Sequence, residues 1–141
     1  MTIRQISIFI ENKYGKLSEI LTLLGNENIR IIAATVADTS EYGILRLIVT
    51  EPEKANKALK NNNVSVNQTD VFAVVTESSA AGFAQTLQYF TQSGLSIEYM
   101  YSFSIKEKSV LILRTHNYDA ARDVIRRHNL GYVNENDLIN L

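Results

Sequence analysis

The chain of 141 residues contains no cysteine and no tryptophan, a single proline, two histidines and no excess of either charge. Without cysteine there is no disulfide, no thiolate nucleophile and no cysteine-ligated zinc, which suits a reducing compartment. Fourteen Lys and Arg stand against fifteen Asp and Glu, a formal charge of -1. A chain with no basic excess releases few counterions from phosphates, so nucleic acid is not an expected partner. No apolar run approaches the roughly 20 residues that span a bilayer. Met1-Thr2-Ile3-Arg4-Gln5 passes straight into apolar alternation without the long apolar core of a secretory leader. A cytoplasmic protein with no membrane association is expected. What remains, 45% hydrophobic and 21% charged residues, is the composition of a soluble globular protein with either one core or two small cooperating ones.

An internal repeat favours two. Val66-Asn67-Gln68-Thr69-Asp70-Val71 returns as Val133-Asn134-Glu135-Asn136-Asp137-Leu138, an offset of 67. The same shift carries Gly15 onto Gly82, Ile20 onto Leu87, Leu23 onto Phe90, and Ile44-Leu45-Arg46-Leu47 onto Leu111-Ile112-Leu113-Arg114. One offset serving the whole length points to duplication, with domains over 1–69 and 70–141.

Within the first copy, Ile6 to Ile10 alternates as a strand and Glu11 to Gly15 forms a polar turn. Leu17, Ile20, Leu21, Leu23 and Leu24 recur at helical spacing until Gly25 and Asn26. Ile29 to Ala37 and Ile44 to Thr50 read as neighbouring antiparallel strands. Pro52 opens a second helix through Ala55, Ala58 and Leu59, ended by Asn61-Asn62-Asn63, with a fourth strand from Val64. The second copy repeats this order: strand Val71 to Val75, helix Gly82 to Gln92, strands Leu95 to Ser104 and Ser109 to Thr115, helix Asp119 to His128, and a last strand from Gly131. A β-α-β-β-α-β unit folds as a four-stranded antiparallel sheet with both helices on one face. Because Ile29 to Ala34 is apolar on both sides, the other face needs cover from the second repeat or another chain.

The expected fold is therefore α+β, two ferredoxin-like β-α-β-β-α-β sandwiches related by internal duplication. The strand, turn and helix of Ile8-Phe9-Ile10-Glu11-Asn12-Lys13-Tyr14-Gly15-Lys16-Leu17, with Asn28-Ile29-Arg30-Ile31 after Gly25, resembles the ACT domain, a small-molecule-sensing module. The resemblance covers nearly the full length as a pattern of residue classes. Tyr14 departs from it where a proline often precedes the turn glycine, and the second copy has a Ser-rich turn before Ala81-Gly82-Phe83.

The resemblance implies a noncatalytic sensor that binds an amino acid at an interface between ACT-like units. It maps the ligand-binding residues onto Asn12, Lys13, Tyr14, Gly15 and Lys16, with Asn28, Ile29 and Arg30. In the second copy the equivalents are Ser78, Ser79, Gly82 and Gly94, where the serine hydroxyls serve more readily as helix caps than as ligand contacts. Backbone N-H groups at a helix start suit a ligand carboxylate, and side-chain oxygens suit its ammonium. The resemblance further implies a homodimer, no cofactor, and a partner enzyme or transporter of amino-acid metabolism. A ligand-independent structural or protein-interaction module is the alternative, since many ACT copies carry no ligand.

Other clusters are weaker. Asn67, Gln68 and Asp70, repeated as Asn134, Glu135 and Asp137, form no dedicated metal motif and read as a shared turn or edge. His116 and His128 make no metal-binding pair at their spacing. Lys57, Lys60, Arg122, Arg126 and Arg127 read as solvated helix faces. Tyr99, Tyr101 and Phe103 share one strand face and read as packing residues. No His-centred nucleophile arrangement calls for an enzyme.

Overall fold

The computed structural model describes residues 1–11, 15–38 and 41–141, Asp38 by its backbone alone. The elements are β1 (Thr2–Glu11), α1 (Lys16–Asn26), β2 (Ile31–Asp38), β3 (Tyr42–Val49), α2 (Pro52–Asn61), β4 (Val66–Glu77), α3 (Ala80–Gln92), β5 (Tyr99–Ile105), β6 (Lys108–Arg114), α4 (Tyr118–Arg127) and α5 (Glu135–Leu138). By packing, the chain divides into a unit of residues 4–69 with 138–140 and a unit of residues 1–3 and 70–137 with 141.

In the unit built on the first copy the strands run in the order β2-β3-β1-β4. Period-two alternation puts Ile6, Ile8 and Ile10 on one face of β1, and the register sets Ile6 beside Leu47 and Ile8 beside Leu45. These residues form one buried cluster with Ile20 and Leu24 of α1 and Ala55 and Leu59 of α2. Each such aliphatic side chain stabilises the fold by roughly 1.5–3 kcal/mol on burial. Ile20 and Leu24 are one helical turn apart and define the inward stripe of α1, whereas Leu17 and Leu21 are each 37% exposed. Pro52 occupies the first turn of α2, where its missing N-H goes unused. Strand β2 carries an irregularity between Ile31 and Ala33 that brings both into register with β3.

The unit built on the second copy repeats the layout, with β4-β6-β5 in order. Phe72 and Val74 of β4 meet Leu111 and Leu113 of β6 in register, under Phe90 of α3 and Ala121, Val124 and Ile125 of α4. The fourth strand of this copy is reduced to a bridge between Val74 and Tyr132, flanked by hydrogen bonds from Val75 N-H to Gly131 O (2.8 Å) and from Val133 N-H to Ala73 O (2.9 Å). The expected α+β architecture, two ACT-like ferredoxin units, is the one observed.

Several local expectations are corrected. The strands expected from Val64 and over Val71 to Val75 are one continuous strand, β4, along which Asn67, Gln68 and Asp70 are exposed. Their counterparts instead open α5, where the Asp137 carboxylate accepts the Asn134 N-H at 2.9 Å. The two segments therefore share no role. Helix α1 does end at Gly25 and Asn26 as expected, with Glu27 as its C-cap and a left-handed Asn28 just beyond it. Helix α3 begins two residues before Gly82 because Ser79 caps it. Strand β5 begins at Tyr99, after Glu98 N-H has paired with Arg114 O at 2.9 Å. Tyr101 pairs with Ile112 and Phe103 with Val110, on the face opposite the Leu111 and Leu113 that meet the helices.

Candidate functional site

The turn between β1 and α1 holds the first set of expected ligand residues. Asn12, Lys13 and Tyr14 lie outside the described residues, while Gly15 and Lys16 are placed at the start of the helix. Gly15 is the N-cap of α1 with φ of 80°, in the left-handed region that favours glycine. It offers no side chain to the first-turn N-H groups, and among the described residues no atom beyond its chain neighbours lies within 4 Å of where its Cβ would be. Those N-H groups carry the partial positive charge of the helix start.

A cavity of about 460 Å³ adjoins this helix start. It is lined by Glu11 from the end of β1, by Lys16, Glu19 and Ile20 from α1, and by Asn62 and Ser65 from the segment between α2 and β4. Pairing of Phe9 N-H with Ser65 O at 3.2 Å draws that segment to the end of β1. Lys16 Nζ stands 3.7 Å from Glu19 Oε1, an exposed pair one turn apart on α1. Such a pair contributes little to stability and leaves both charges accessible to a solute. Lining an apolar wall with cationic, anionic and amide groups suits a small zwitterion. Sequence reasoning passed over Glu19, Asn62 and Ser65, for only tertiary pairing brings the last two to α1.

The other first-copy residues stand elsewhere. Asn28, with φ of 56°, donates its N-H to Gly25 O at 3.0 Å, and Ile29 N-H bonds Leu24 O at 3.2 Å, so both close the C-terminal end of α1. Arg30 O accepts the Thr50 N-H at 3.1 Å. The eleven residues of α1, rising about 1.5 Å each, put about 16 Å of helix between Gly15 and Asn28. One unit therefore does not bring Gly15 and Lys16 together with Asn28, Ile29 and Arg30 around a single amino acid.

The second copy differs at its helix start. Ser79, in an extended conformation, is the N-cap of α3 and its Oγ accepts the Gly82 N-H at 3.0 Å. The offset of 67 that matched Gly82 with Gly15 is thus corrected: Ser79 occupies the capping position and Gly82 lies inside the helix. Gly82 O accepts the Thr76 hydroxyl at 3.0 Å, and Thr76 Oγ1 accepts that of Thr86 at 2.9 Å. The Ser78 and Ser109 hydroxyls are 2.8 Å apart, and Ser78 donates to Glu107 O at 3.3 Å. Gly94, with φ of 78°, ends α3 as Asn28 ends α1, its N-H bonding Thr91 O at 3.0 Å.

The remaining charged groups are paired or solvated. His128 caps the end of α4 and stacks on Tyr89 with ring centroids 3.9 Å apart. His116 Nε2 lies 2.5 Å from Glu98, whose other oxygen meets Arg114 Nε at 3.3 Å. Arg122 pairs with Asp119 and Arg127 with Asp123 on the exposed face of α4, and Lys57 and Lys60 are exposed on α2. Among the described residues no group of His, Asp or Glu could hold a metal ion, and no helix is long and apolar enough to cross a membrane.

Comparison with known proteins places this geometry. The chain is similar to protein BT0572 from Bacteroides thetaiotaomicron, of known crystal structure, with 38% identity, a TM-score of 0.94, and coverage of 100% of this chain and 98% of that one. It shares its fold with the regulatory subunit of aspartate kinase from Thermus thermophilus in a ligand-free form, at 16% identity and a TM-score of 0.64, covering 88% and 91% of the two chains. The corresponding subunit from Thermus flavus matches at 16% identity and a TM-score of 0.61, covering 88% and 90%. No curated protein matches. The family described as the ACT domain pair matches residues 1–141. The chain belongs to the ACT domain pair family, and is a noncatalytic regulatory protein by that membership.

Proposed function

We propose that this regulatory protein senses an amino acid at the start of α1, through Gly15 and Lys16 together with Asn12, Lys13 and Tyr14 of the preceding turn, the site being completed by an ACT-like unit of a second copy of the chain. The observation that supports the reading most directly is the cavity of about 460 Å³ beside a helix start whose capping residue, Gly15, has no side chain. A ligand carboxylate would meet the first-turn N-H groups and the Lys16 ammonium. Its own ammonium would meet the carboxylates of Glu11 or Glu19, or the Asn62 amide oxygen. Occupancy then acts by favouring the assembly in which the site is complete, since a ligand shifts an equilibrium only by its difference in affinity for the two states. The downstream partner in this reading is an enzyme or transporter of amino-acid metabolism.

Isothermal titration calorimetry of the full chain against each proteinogenic amino acid at millimolar concentration tests it. Saturable heat with one amino acid is expected, weakened about tenfold by Lys16→Ala, the loss that accompanies removal of one charge-assisted hydrogen bond. A dimer that gives no heat with any of them would overturn the sensor reading in favour of a ligand-independent interaction module.

A further inference from the structure

The two helix starts are unequal in a way that bears on how many ligands a chain holds. We infer that the second copy is sealed by its own side chains and that the chain takes one ligand, in the first copy; this rests on the sensor reading above. At α3, the Gly82 N-H is taken by Ser79 Oγ, and the Gly82 carbonyl is held by Thr76, itself held by Thr86. Thr76, Thr86 and Ser109 are 8%, 5% and 6% exposed, so the hydroxyl chain is internal and water does not compete for it. Ser78, the remaining hydroxyl of the turn, is drawn to Ser109 and to Glu107 O. Lys108, the cation nearest in the register, pairs with Glu77.

Space tells the same story as bonding. A Cβ at Gly82 would meet Glu77 O at 2.7 Å, Glu77 Cβ at 2.9 Å and Ser79 Oγ at 3.1 Å, so the turn has closed on this glycine. No ligand atom fits there without displacing backbone. At Gly15, which caps α1, no atom of the described residues beyond its chain neighbours lies within 4 Å of the Cβ position. A carboxylate arriving at α3 would have to break the Ser79 cap to gain the N-H that the cap already satisfies, exchanging one bond for another with no net gain. At α1 the capping residue, Gly15, makes no side-chain bond that must be broken.

Amide hydrogen exchange by NMR on the full chain tests the seal without any ligand. The Gly82 amide should exchange more slowly than those of Leu17 and Ser18, and Ser79→Ala should speed it about fivefold, the factor equivalent to one lost N-cap bond. Gly82 exchanging as fast as Leu17, or unaffected by Ser79→Ala, would overturn the inference whether or not an amino acid binds. Where the calorimetric panel yields a ligand, the expected stoichiometry is one per chain, unchanged in affinity by Ser79→Ala; two per chain would equally overturn it. Absence of heat across the panel fails the sensor reading alone, leaving the seal to be judged by exchange.

Discussion

Adding one methyl group at Gly82 and one at Gly25 should move stability in opposite directions, although both glycines lie in helices. Gly25 sits in α1 with nothing within 4 Å of its Cβ position. Gly25→Ala therefore gains only helix propensity, about 0.5–1 kcal/mol near a helix end. Gly82→Ala receives a similar gain but forces the new methyl to within 2.7 Å of Glu77 O, a backbone atom that cannot swing aside. Overpacking of this kind costs about 1–3 kcal/mol. Relieving it pulls the first turn of α3 from Ser79 and Thr76, whose bonds to Gly82 each contribute about 1 kcal/mol. After partial relaxation and the propensity gain, a net loss of about 2 kcal/mol remains. With a urea dependence of about 2 kcal/mol per molar, the two variants should part by roughly 1.5 M in midpoint. Urea titration followed by far-ultraviolet circular dichroism and by tyrosine fluorescence measures this, and coincidence of the two signals checks for a single transition. A Gly82→Ala midpoint at or above that of the parent would refute the closed packing of this turn.

Other perturbations follow from the same contacts. Thr76→Val leaves the buried Thr86 hydroxyl without its acceptor and should destabilise by about 1–3 kcal/mol, partly recovered by adding Thr86→Val; additive losses in the double-mutant cycle would contradict the bond. Phe90→Ala empties the centre of the second core and should cost about 3–5 kcal/mol in denaturant titration, against less than about 1 kcal/mol for the exposed Leu21→Ala. Asn117→Ala removes the oxygen that accepts the Ala120 N-H and should cost about 1 kcal/mol. Gly15→Ala strains a left-handed residue without overlapping any described residue beyond its chain neighbours and should lower stability by about 1 kcal/mol, measured by the shift in urea midpoint.

Both cores were legible in the sequence because burial imposes periodicity. Ile6, Ile8 and Ile10 repeat every second residue and are all buried in the first core, and Ala121, Val124 and Ile125 follow helical spacing into the second. The misreadings arose where tertiary structure satisfies what a short stretch leaves open. Asn67, Gln68 and Asp70 look like a turn, yet a strand with its backbone bonds made tolerates polar side chains pointing to solvent. Four-residue α5 is too short for any periodicity to show. Matching Gly82 to Gly15 followed a uniform offset, whereas the second turn has a serine cap in place of a glycine cap, and the capping role expected of its serines is the one Ser79 performs. Of the candidate site, the glycine turn was visible, but Asn62 and Ser65 reach the cavity only through pairing with β1.

The hydroxyl chain from Thr86 through Thr76 to Gly82 has a consequence for dose response. A duplicated receptor normally offers two coupled seats, and coupling between them sharpens the switch. With one seat plugged from within, no steepness can arise between the two halves of one chain, and any sharp response to rising metabolite has to be generated by chains acting on one another.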